Sequence, residues 1–432
     1  MQLRDIVMPL ANDDDNSNSR NSLVIKPNEL KRKMDKGDDI FILDVRSRLE
    51  HDLWTISYDN YPDSVVIPVD TLASLESLKQ IPKNKEIITF CAHGQRSYMA
   101  ARTLSSLGYN VKTVEGGMAG WSRLYDVAAV NLNSNITLKI WQIRRISKGC
   151  MSYVIASTKD KKATIIDPTC DIEIVINTLL REYDLTVIRV LDTHMHADHL
   201  SGSIRVARRY GSEAAISELE NYDTHHLSSE RDPKYRLVSA GQKFDLGDGF
   251  HLEAIHTPGH TDGSMSFLLK INNATTNDKY INEKNSRNDD FARNNDNDEN
   301  TDYYLFTGDT IFVNGVGRPD LHKKSQEYTN KLFHTYYNVI FNYPNKTTIL
   351  PAHYSSSFEH EKPIFDSLGS IKQKLASILD SKNKFIDFVT SNIPSHPMNY
   401  EKIVYLNKNL VSCDMVNQAD LESGPNSCGI RA

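Results

Sequence analysis

Four potential metal ligands lie within one stretch of six residues, and no other feature of the sequence constrains the fold as strongly. The ligands are His194, His196, Asp198 and His199. They follow an apolar run over 187–191 that predicts a buried strand. His194 and His196 alternate along the chain, so an extended strand end would point both rings in the same direction. Because imidazole and carboxylate groups bind borderline transition metals, the stretch predicts a metal site at the end of a strand.

Three later segments each add one potential ligand at the end of an apolar run or beyond a turn. These ligands are His260 after a Pro-Gly turn, Asp309 after the run 303–307 and His353 after the run 347–350. Together with the first stretch, these segments resemble the metallo-β-lactamase superfamily over about 137–380. The resemblance implies an αββα sandwich with the metal at one edge of its two sheets.

The preceding part of the chain has a different pattern. Short apolar runs over 41–45, 86–90 and 111–114 predict buried strands, and a helical pattern covers 97–107. Strands that alternate with helices in this way indicate a compact α/β domain over 21–125. The expected fold class is therefore α/β, with a parallel-sheet domain followed by an αββα sandwich.

A cysteine at the end of one of these strands predicts a second chemical site. Cys91 follows the run 86–90, and a helical pattern begins six residues later. The loop between them consists of Ala92, His93, Gly94, Gln95 and Arg96. Its backbone N–H groups, the positive end of the helix and Arg96 would all stabilise a thiolate or an anionic persulfide. Gly94 permits the positive φ that a curled loop can require.

The surroundings of this loop carry a second family resemblance. Asp44-Val45-Arg46 closes an earlier strand, and the Gly-Gly-Met-Ala-Gly-Trp segment over 116–121 closes a later one. With the Cys91 loop, these segments resemble the rhodanese (sulfurtransferase) family across essentially all of 21–125. The resemblance implies that Cys91 accepts a sulfane sulfur as a persulfide, and that Asp44 and Arg46 help to hold the architecture of the site.

The rest of the chain is predicted to form segments outside the two domain cores. We expect a disordered leader over 1–20, a linker over 126–136 and a C-terminal extension over 381–432 that packs on the metal domain. Residues 272–302 are rich in Asn and Asp and contain few large apolar residues. That composition cannot form a core, so it predicts a polar surface insertion at the tip of a hairpin.

Charge and cysteine content exclude several function classes. The net charge of −6 gives no reason to expect a nucleic-acid partner, since such proteins usually carry a basic stripe. No apolar run approaches the roughly 18 residues of a membrane span. The five cysteines include no CxxC pair and are odd in number, which argues against a disulfide scaffold and favours the cytoplasm. We expect the four cysteines other than Cys91 to have no chemical role.

The metal ligands allow two interpretations. In the first, two zinc ions activate a hydroxide that attacks a thioester, as in glyoxalase II. One zinc would be bound by His194, His196 and His260, the other by Asp198, His199 and His353, and Asp309 would bridge them. In the second, His194, His260 and Asp309 hold a single Fe(II) as a facial triad with three open positions, as the resemblance to persulfide dioxygenases implies. The other four side chains would then form a hydrogen-bonded outer shell.

Two features favour the iron interpretation. The stretch Gly315-Val316-Gly317-Arg318-Pro319-Asp320 resembles the persulfide dioxygenase branch, whereas glyoxalase II differs there and has a C-terminal helical glutathione-binding domain that we do not find. Arg318 and Asp320 would pair to order the pocket wall, or Arg318 would meet an anionic substrate. The second feature is the rhodanese domain, because a sulfane-sulfur transferase suits a persulfide oxidase.

The sequence thus predicts a bifunctional enzyme of sulfur metabolism with one Fe(II) per chain. It would oxidise a thiol persulfide, such as glutathione persulfide, with O₂ to sulfite. Cys91 would exchange sulfane sulfur with persulfide, thiosulfate or sulfite. Its predicted partners are these small molecules, with no nucleic acid and no membrane, and a homo-oligomer is left open. The alternatives are the two-zinc hydrolase and a sulfur-carrier protein whose metal domain is inactive.

Overall fold

The computed structural model describes most of the chain. The described residues are 23–56, 58, 61, 63–132, 136–224, 233–273, 300–321, 324–354, 359–396, 398–424 and 428–431. The predicted leader over 1–20 and residues 274–299 of the predicted insertion lie outside the described residues. No helix in the described part of the chain combines the length and the apolar character that crossing a membrane requires.

The first domain is built on a parallel sheet, as predicted. Its strands are β1 Val24–Ile25, β2 Ile40–Asp44, β3 Val65–Val66, β4 Glu86–Phe90 and β5 Val111–Val114. The strand order is β1-β5-β4-β2-β3, and all neighbours are parallel. The helices are α1 Pro27–Lys36, α2 Arg48–Leu53, α3 Leu75–Leu78, α4 Gln95–Ser106 and α5 Gly117–Trp121. The loops that follow β2 and β4 therefore meet at the same edge of the sheet.

The second domain contains two stacked sheets. The first consists of β6 Tyr125–Val130, β7 Leu138–Arg145, β8 Cys150–Ser157, β9 Lys162–Ile166, β10 Thr186–Leu191, β11 Glu213–Ser217 and β12 Tyr235–Val238. The second consists of β13 Lys243–Gly247, β14 Phe250–His256, β15 Met265–Asn272, β16 Thr301–Gly308, β19 Thr348–Pro351 and β20 Asp366–Ser367. Apolar side chains from both sheets, such as Ile155, Phe267 and Phe306, pack between them and form the main core.

Helices cover the outer face of each sheet. Helices α6 Glu173–Tyr183 and α7 Ser203–Tyr210 pack on the first sheet, where Ile176 and Val206 join Val154 in one apolar cluster. Helix α8 Ser325–Asn338 packs on the second sheet, where Leu332 joins Leu305. The predicted αββα sandwich is therefore confirmed.

The segment expected to be a linker is different in the structure. Residues 126–130 lie in β6, which pairs antiparallel with β7 at the edge of the first sheet. The sequence suggested a linker because of the polar stretch over 131–135, which directly follows β6. Asp126 is nevertheless buried, because Arg144 and Lys31 both pair with it. The chain thus enters the sandwich directly from the first domain.

The C-terminal part of the chain is largely helical, so the failure to find a C-terminal helical region in the sequence no longer argues against the hydrolase interpretation. It contains α9 Leu368–Lys374, α10 Ala376–Leu379, α11 Lys382–Ser391, α12 Tyr400–Lys408 and α13 Gln418–Leu421. The last strand, β21 Gly429–Arg431, completes a small sheet with β17 Ile311–Phe312 and β18 Gly315–Gly317. A disulfide joins Cys170 to Cys413 across 243 residues of sequence. The expectation that these two cysteines have no role is therefore wrong, and so large a separation gave no sequence signal for their pairing.

Candidate active sites

Three buried side chains converge at one edge of the two sheets. His194 follows β10, His260 lies in the loop after β14, and Asp309 follows β16. Nε2 of His194 and Nε2 of His260 each lie 3.6 Å from Oδ2 of Asp309. None of these three atoms has a hydrogen-bond partner among the described residues. Buried polar atoms are rarely left unpaired, so their convergence fits a bound cation.

In each imidazole ring, the hydrogen bond made by Nδ1 determines which nitrogen keeps a lone pair for a metal. Nδ1 of His260 donates to the backbone carbonyl of Arg318 over 2.8 Å. Nδ1 of His194 lies 2.8 Å from Oγ1 of Thr193, and that hydroxyl donates to Asp167 over 2.8 Å, so Nδ1 is again the donor. In both neutral rings, Nε2 therefore keeps its lone pair and faces Asp309.

The protonation states of these three side chains also favour the binding of a cation. Burial lowers the pKa of His194 and the pKa of His260, which favours neutral rings. Burial alone would raise the pKa of Asp309, but the attraction and the hydrogen bond of His353 outweigh it and lower that pKa. Two neutral imidazoles and one carboxylate form the donor set of a facial triad.

A second group of buried ligand atoms adjoins the triad. Nδ1 of His353 lies 2.6 Å from Oδ1 of Asp309, and its Nε2 lies 3.0 Å from Oδ2 of Asp198. Asp198 also contacts Nδ1 of His199 at 2.9 Å. Sγ of Cys150 lies 3.5 Å from Oδ2 of Asp198, so a thiol joins this group. The spacing suits either a hydrogen-bonded network around the triad or a second ion.

His196 departs from the expected arrangement. Its Nε2 lies 3.4 Å from Oδ1 of Asp167, and it groups with Asp167 and Asp192 rather than with the triad. Strand β10 ends at Leu191, so the alternation of an extended strand does not apply to the residues that follow.

The two cysteines near the metal ligands were missed by the sequence interpretation. Cys150 opens β8 and pairs with His353 through an isolated bridge. Cys428 lies with Asp309 and His353 in a third group of closely spaced ligand atoms. Neither cysteine belongs to the ligand motifs of the sequence, so only the three-dimensional structure brings them to the site.

The Cys91 loop is curled around the sulfur. Cys91 is buried at the end of β4, and the backbone N–H of Gly94 donates to Sγ over 3.1 Å. Gly94 has a φ of +92°, as such a curl allows. Gly117 packs against the loop so closely that a Cβ there would lie 2.2 Å from the carbonyl oxygen of Cys91. Helix α4 begins at Gln95, directly behind the loop.

Arg96 has a partner that the sequence did not indicate. Its Nη1 and Nη2 donate to the two carboxylate oxygens of Glu50 at 3.0 and 2.6 Å. This pairing lowers the pKa of Glu50 to about 2. The guanidinium is therefore held at the side of the loop by a carboxylate. At the tip of the loop, Nε2 of His93 lies 3.0 Å from Oδ1 of Asp420, and Ala92 accepts a backbone hydrogen bond from Ala119.

Asp44 and Arg46 form a buried pair behind this loop. Nε and Nη2 of Arg46 donate to the carboxylate of Asp44, and Nη2 also reaches the carbonyl of Trp54. His51 is also buried, and its Nδ1 lies 3.1 Å from Oδ2 of Asp44. The guanidinium of Arg46 also lies over the ring of Phe90, the residue before Cys91.

Arg318 and Asp320 lie close to the candidate metal ligands, since the carbonyl of Arg318 accepts from Nδ1 of His260. The fully buried guanidinium of Arg318 binds both carboxylate oxygens of Asp320, at 2.8 and 2.9 Å. It also donates to the carbonyls of Pro394 and Ser395. This geometry favours the expectation that the pair orders the wall over the expectation that Arg318 meets a substrate.

Comparisons with known proteins agree with this two-part architecture. Residues 26–124 match the rhodanese-like domain, and residues 147–274 match the metallo-beta-lactamase superfamily. The chain thus carries a rhodanese-like domain followed by a metallo-β-lactamase domain.

Two relatives illustrate the range of proteins that resemble the second domain. A probable polyketide biosynthesis zinc-dependent hydrolase, BaeB of Bacillus velezensis, is 28% identical over 236 residues, which cover 55% of this chain and 85% of the relative. The mitochondrial persulfide dioxygenase ETHE1 of Bos taurus is 25% identical over 245 residues, which cover 55% of this chain and 78% of the relative. The crystal structure of a metallo-beta-lactamase from Staphylococcus aureus subsp. aureus COL is 26% identical, with a TM-score of 0.50, covering 65% of this chain and 74% of that chain.

Proposed function

We propose that this chain, in which a rhodanese-like domain precedes a metallo-β-lactamase domain, oxidises a low-molecular-weight thiol persulfide. The overall reaction is R–S–SH + O₂ + H₂O giving R–SH and sulfurous acid, which ionises to sulfite. The observation that carries the proposal is the set of three unpaired buried atoms on His194, His260 and Asp309. The similarity to persulfide dioxygenase ETHE1 supports the same chemistry.

In this proposal, His194, His260 and Asp309 hold one Fe(II) per chain. Such an ion supplies a redox-active centre with open positions for a sulfur anion and O₂. The protein provides the orientation: the hydrogen bonds from Nδ1 of His194 and Nδ1 of His260 fix the rings with Nε2 facing Asp309. His353 holds the other oxygen of Asp309, which fixes the direction of the carboxylate. All these side chains are buried, so bulk water has little access to the reacting groups.

The rhodanese-like domain moves sulfane sulfur through Cys91. With thiosulfate, the Cys91 thiolate attacks the outer sulfur, the S–S bond of thiosulfate breaks, and sulfite leaves with the electron pair of that bond. The product is a Cys91 persulfide anion. The N–H of Gly94 already donates to Sγ, and curled loops of this kind stabilise anions. The reverse step would consume sulfite from the metal site and release thiosulfate.

A second candidate is a two-zinc thioester hydrolase. It is favoured by the buried group of Asp198, His199, His353 and Cys150, whose ligand atoms all lie within 4.8 Å of one another. The similarity to the zinc-dependent hydrolase BaeB points in the same direction. Two zinc ions would supply an activated hydroxide instead of a redox-active centre. A third candidate, the sulfur-carrier protein, would use Cys91 alone.

Metal analysis combined with an oxygen electrode separates these functions. The protein is purified without oxygen, its metals are measured, and glutathione persulfide or a glutathione thioester is added. About one iron per chain with O₂ uptake on adding persulfide supports the dioxygenase. Two zinc ions with thioester hydrolysis and no O₂ uptake would replace it with the hydrolase. If Asp309→Ala changes no activity while Cys91→Ser abolishes all of it, the chain is a sulfur carrier.

A further inference from the structure

A carboxamide from the C-terminal part of the chain holds the backbone of the loop that follows β10. Asn407 lies near the end of α12 and is buried. Its Nδ2 donates to the carbonyl of His196 at 2.8 Å and to the carbonyl of His199 at 2.9 Å. Its Oδ1 accepts from the N–H of Ser201 at 3.0 Å. Both N–H groups and the carbonyl oxygen of the Asn407 side chain therefore bind the backbone of residues 196–201.

The carboxylate of Glu422 holds the backbone of the same loop. Glu422 is 1% exposed, and its Oε1 accepts from the N–H of Leu200 at 2.8 Å. Its Oε2 pairs with the guanidinium of Arg145, and Nε of Arg145 donates to the carbonyl of Ser122 at 2.8 Å. Ser122 directly follows α5 of the rhodanese-like domain. The loop is thus tied to the C-terminal region and, through Arg145, to the first domain.

The C-terminal region is itself anchored where it makes these contacts. Ile403 and Leu406 of α12 pack with Leu200 in one buried apolar cluster. The disulfide between Cys170 and Cys413 joins the same cluster from both sides. Asn407 and Glu422 therefore approach the loop from a fixed support.

We propose that Asn407 and Glu422 are positioning residues for the metal site. Their contacts with the loop are to backbone groups, and they act by holding the backbone that carries His196, Asp198 and His199 and that follows directly from His194. The proposal rests on the proposed function only in requiring a metal at the triad, and it requires no persulfide chemistry. Groups that orient metal ligands from behind typically change metal affinity by about 10- to 100-fold when they are replaced.

Asn407→Asp gives the sharpest test, because it keeps the shape and the acceptor but places an oxygen against the carbonyls of His196 and His199. We expect metal-free Asn407→Asp to bind Co(II) at least about tenfold more weakly than the wild-type chain. We also expect its bound Co(II) to have a shifted visible absorption band, because the band reports ligand geometry. The matched control is Asn409→Asp, since Asn409 ends the same helix and donates to Tyr405 of that helix. This control should leave both the affinity and the band unchanged.

Two further variants keep the test decisive if Asn407→Asp does not fold. Asn407→Ser removes the carboxamide without adding a charge, and Glu422→Ala removes the acceptor of Leu200. Circular dichroism of the metal-free proteins identifies the folded variants. Folded variants with the wild-type Co(II) affinity and absorption band would overturn the proposal.

The outcome is separable from that of the proposed function. A wild-type chain that binds Co(II) but consumes no O₂ with persulfide would refute the oxidase and leave the positioning result standing. A wild-type chain that binds no Co(II) at the triad would overturn both.

Discussion

Nδ1 of His353 lies 2.6 Å from Oδ1 of Asp309, while the other oxygen of that carboxylate faces His194 and His260. One carboxylate oxygen of Asp309 therefore contacts His353, and the other faces the candidate metal position. A carboxylate held from one side keeps its free oxygen aimed in one direction, which is the requirement for a ligand in a preorganised site.

Replacing Asp309 with asparagine should remove the metal. The asparagine side chain is nearly isosteric with that of aspartate but lacks its charge, so we expect Asp309→Asn to lose more affinity than the roughly 10- to 100-fold typical of changes beside a metal site. Metal content and O₂ uptake with glutathione persulfide measure the effect. Asp302→Asn, a change on the same strand at a residue that binds Asn273, is the control. Retention of both metal and O₂ uptake in Asp309→Asn would contradict the assignment.

The two activities should separate cleanly by mutation. We expect Cys91→Ser to abolish sulfur transfer from thiosulfate, because an alkoxide cannot replace the thiolate as the sulfur acceptor. The same variant should retain O₂ uptake when glutathione persulfide is supplied directly. Thiosulfate-to-cyanide transfer and an oxygen electrode provide the two readouts, and Asp309→Asn should show the opposite pattern. Loss of both activities in a folded Cys91→Ser protein would argue against independent sites.

Gly117→Ala should damage the sulfur-transfer site through steric overlap. A Cβ at this position would lie 2.2 Å from the carbonyl of Cys91, and the residue has a φ of +56°. Gly108→Ala is a matched control, because Gly108 has a φ of +82° but nothing within 4 Å of a Cβ. We expect the control to cost about 1 kcal/mol and Gly117→Ala to cost roughly 1–3 kcal/mol more. Equal unfolding free energies in urea would contradict this packing.

The disulfide should be detectable by counting thiols. The chain has five cysteines, and pairing Cys170 with Cys413 leaves three free thiols. We expect three reactive thiols in denaturant without a reductant and five after reduction. Reduction should lower the free energy of unfolding by roughly 2–5 kcal/mol, because the bond closes a very long loop. Cys170→Ala should lose this sensitivity to reductant, and five thiols without reductant would refute the bond.

The ion pair between Glu50 and Arg96 should contribute to stability only above acidic pH. Pairing lowers the pKa of Glu50 from its ordinary 4.5 to about 2, so the contribution is complete above 4.5 and is lost as the pH falls toward 2. Both side chains are more than a third exposed, so we expect less than about 1 kcal/mol. The stability difference between wild type and Glu50→Gln should shrink between pH 5 and pH 2. Glu76→Gln, an exposed change in the same domain, provides the baseline.

Sequence reasoning located the candidate site residues correctly where they lie at the ends of apolar strands. His194, Asp309 and Cys91 each follow such a strand, and strand ends meet at one edge of a sheet, so their neighbourhood could be predicted from local pattern. The curl at Cys91 was predictable for the same reason, since Gly94 and the helix behind it are adjacent in sequence.

The features that were missed depend on partners far away in the chain. Asn407 lies about 210 residues from the backbone groups it binds, and Cys170 lies 243 residues from Cys413. The predicted linker included Asp126, whose buried partners, Arg144 and Lys31, are not visible in the local sequence. His196 could not be oriented because the regular geometry of β10 stops before it.

Strand β6 begins one residue after the rhodanese match ends at 124. The described residues therefore leave no linker between the two domains on which Cys91 could move toward the candidate metal position. If sulfur travels between the two centres, a small diffusible thiol would be a suitable carrier. The concentration of free thiol in the cell would then govern how tightly the two reactions are linked.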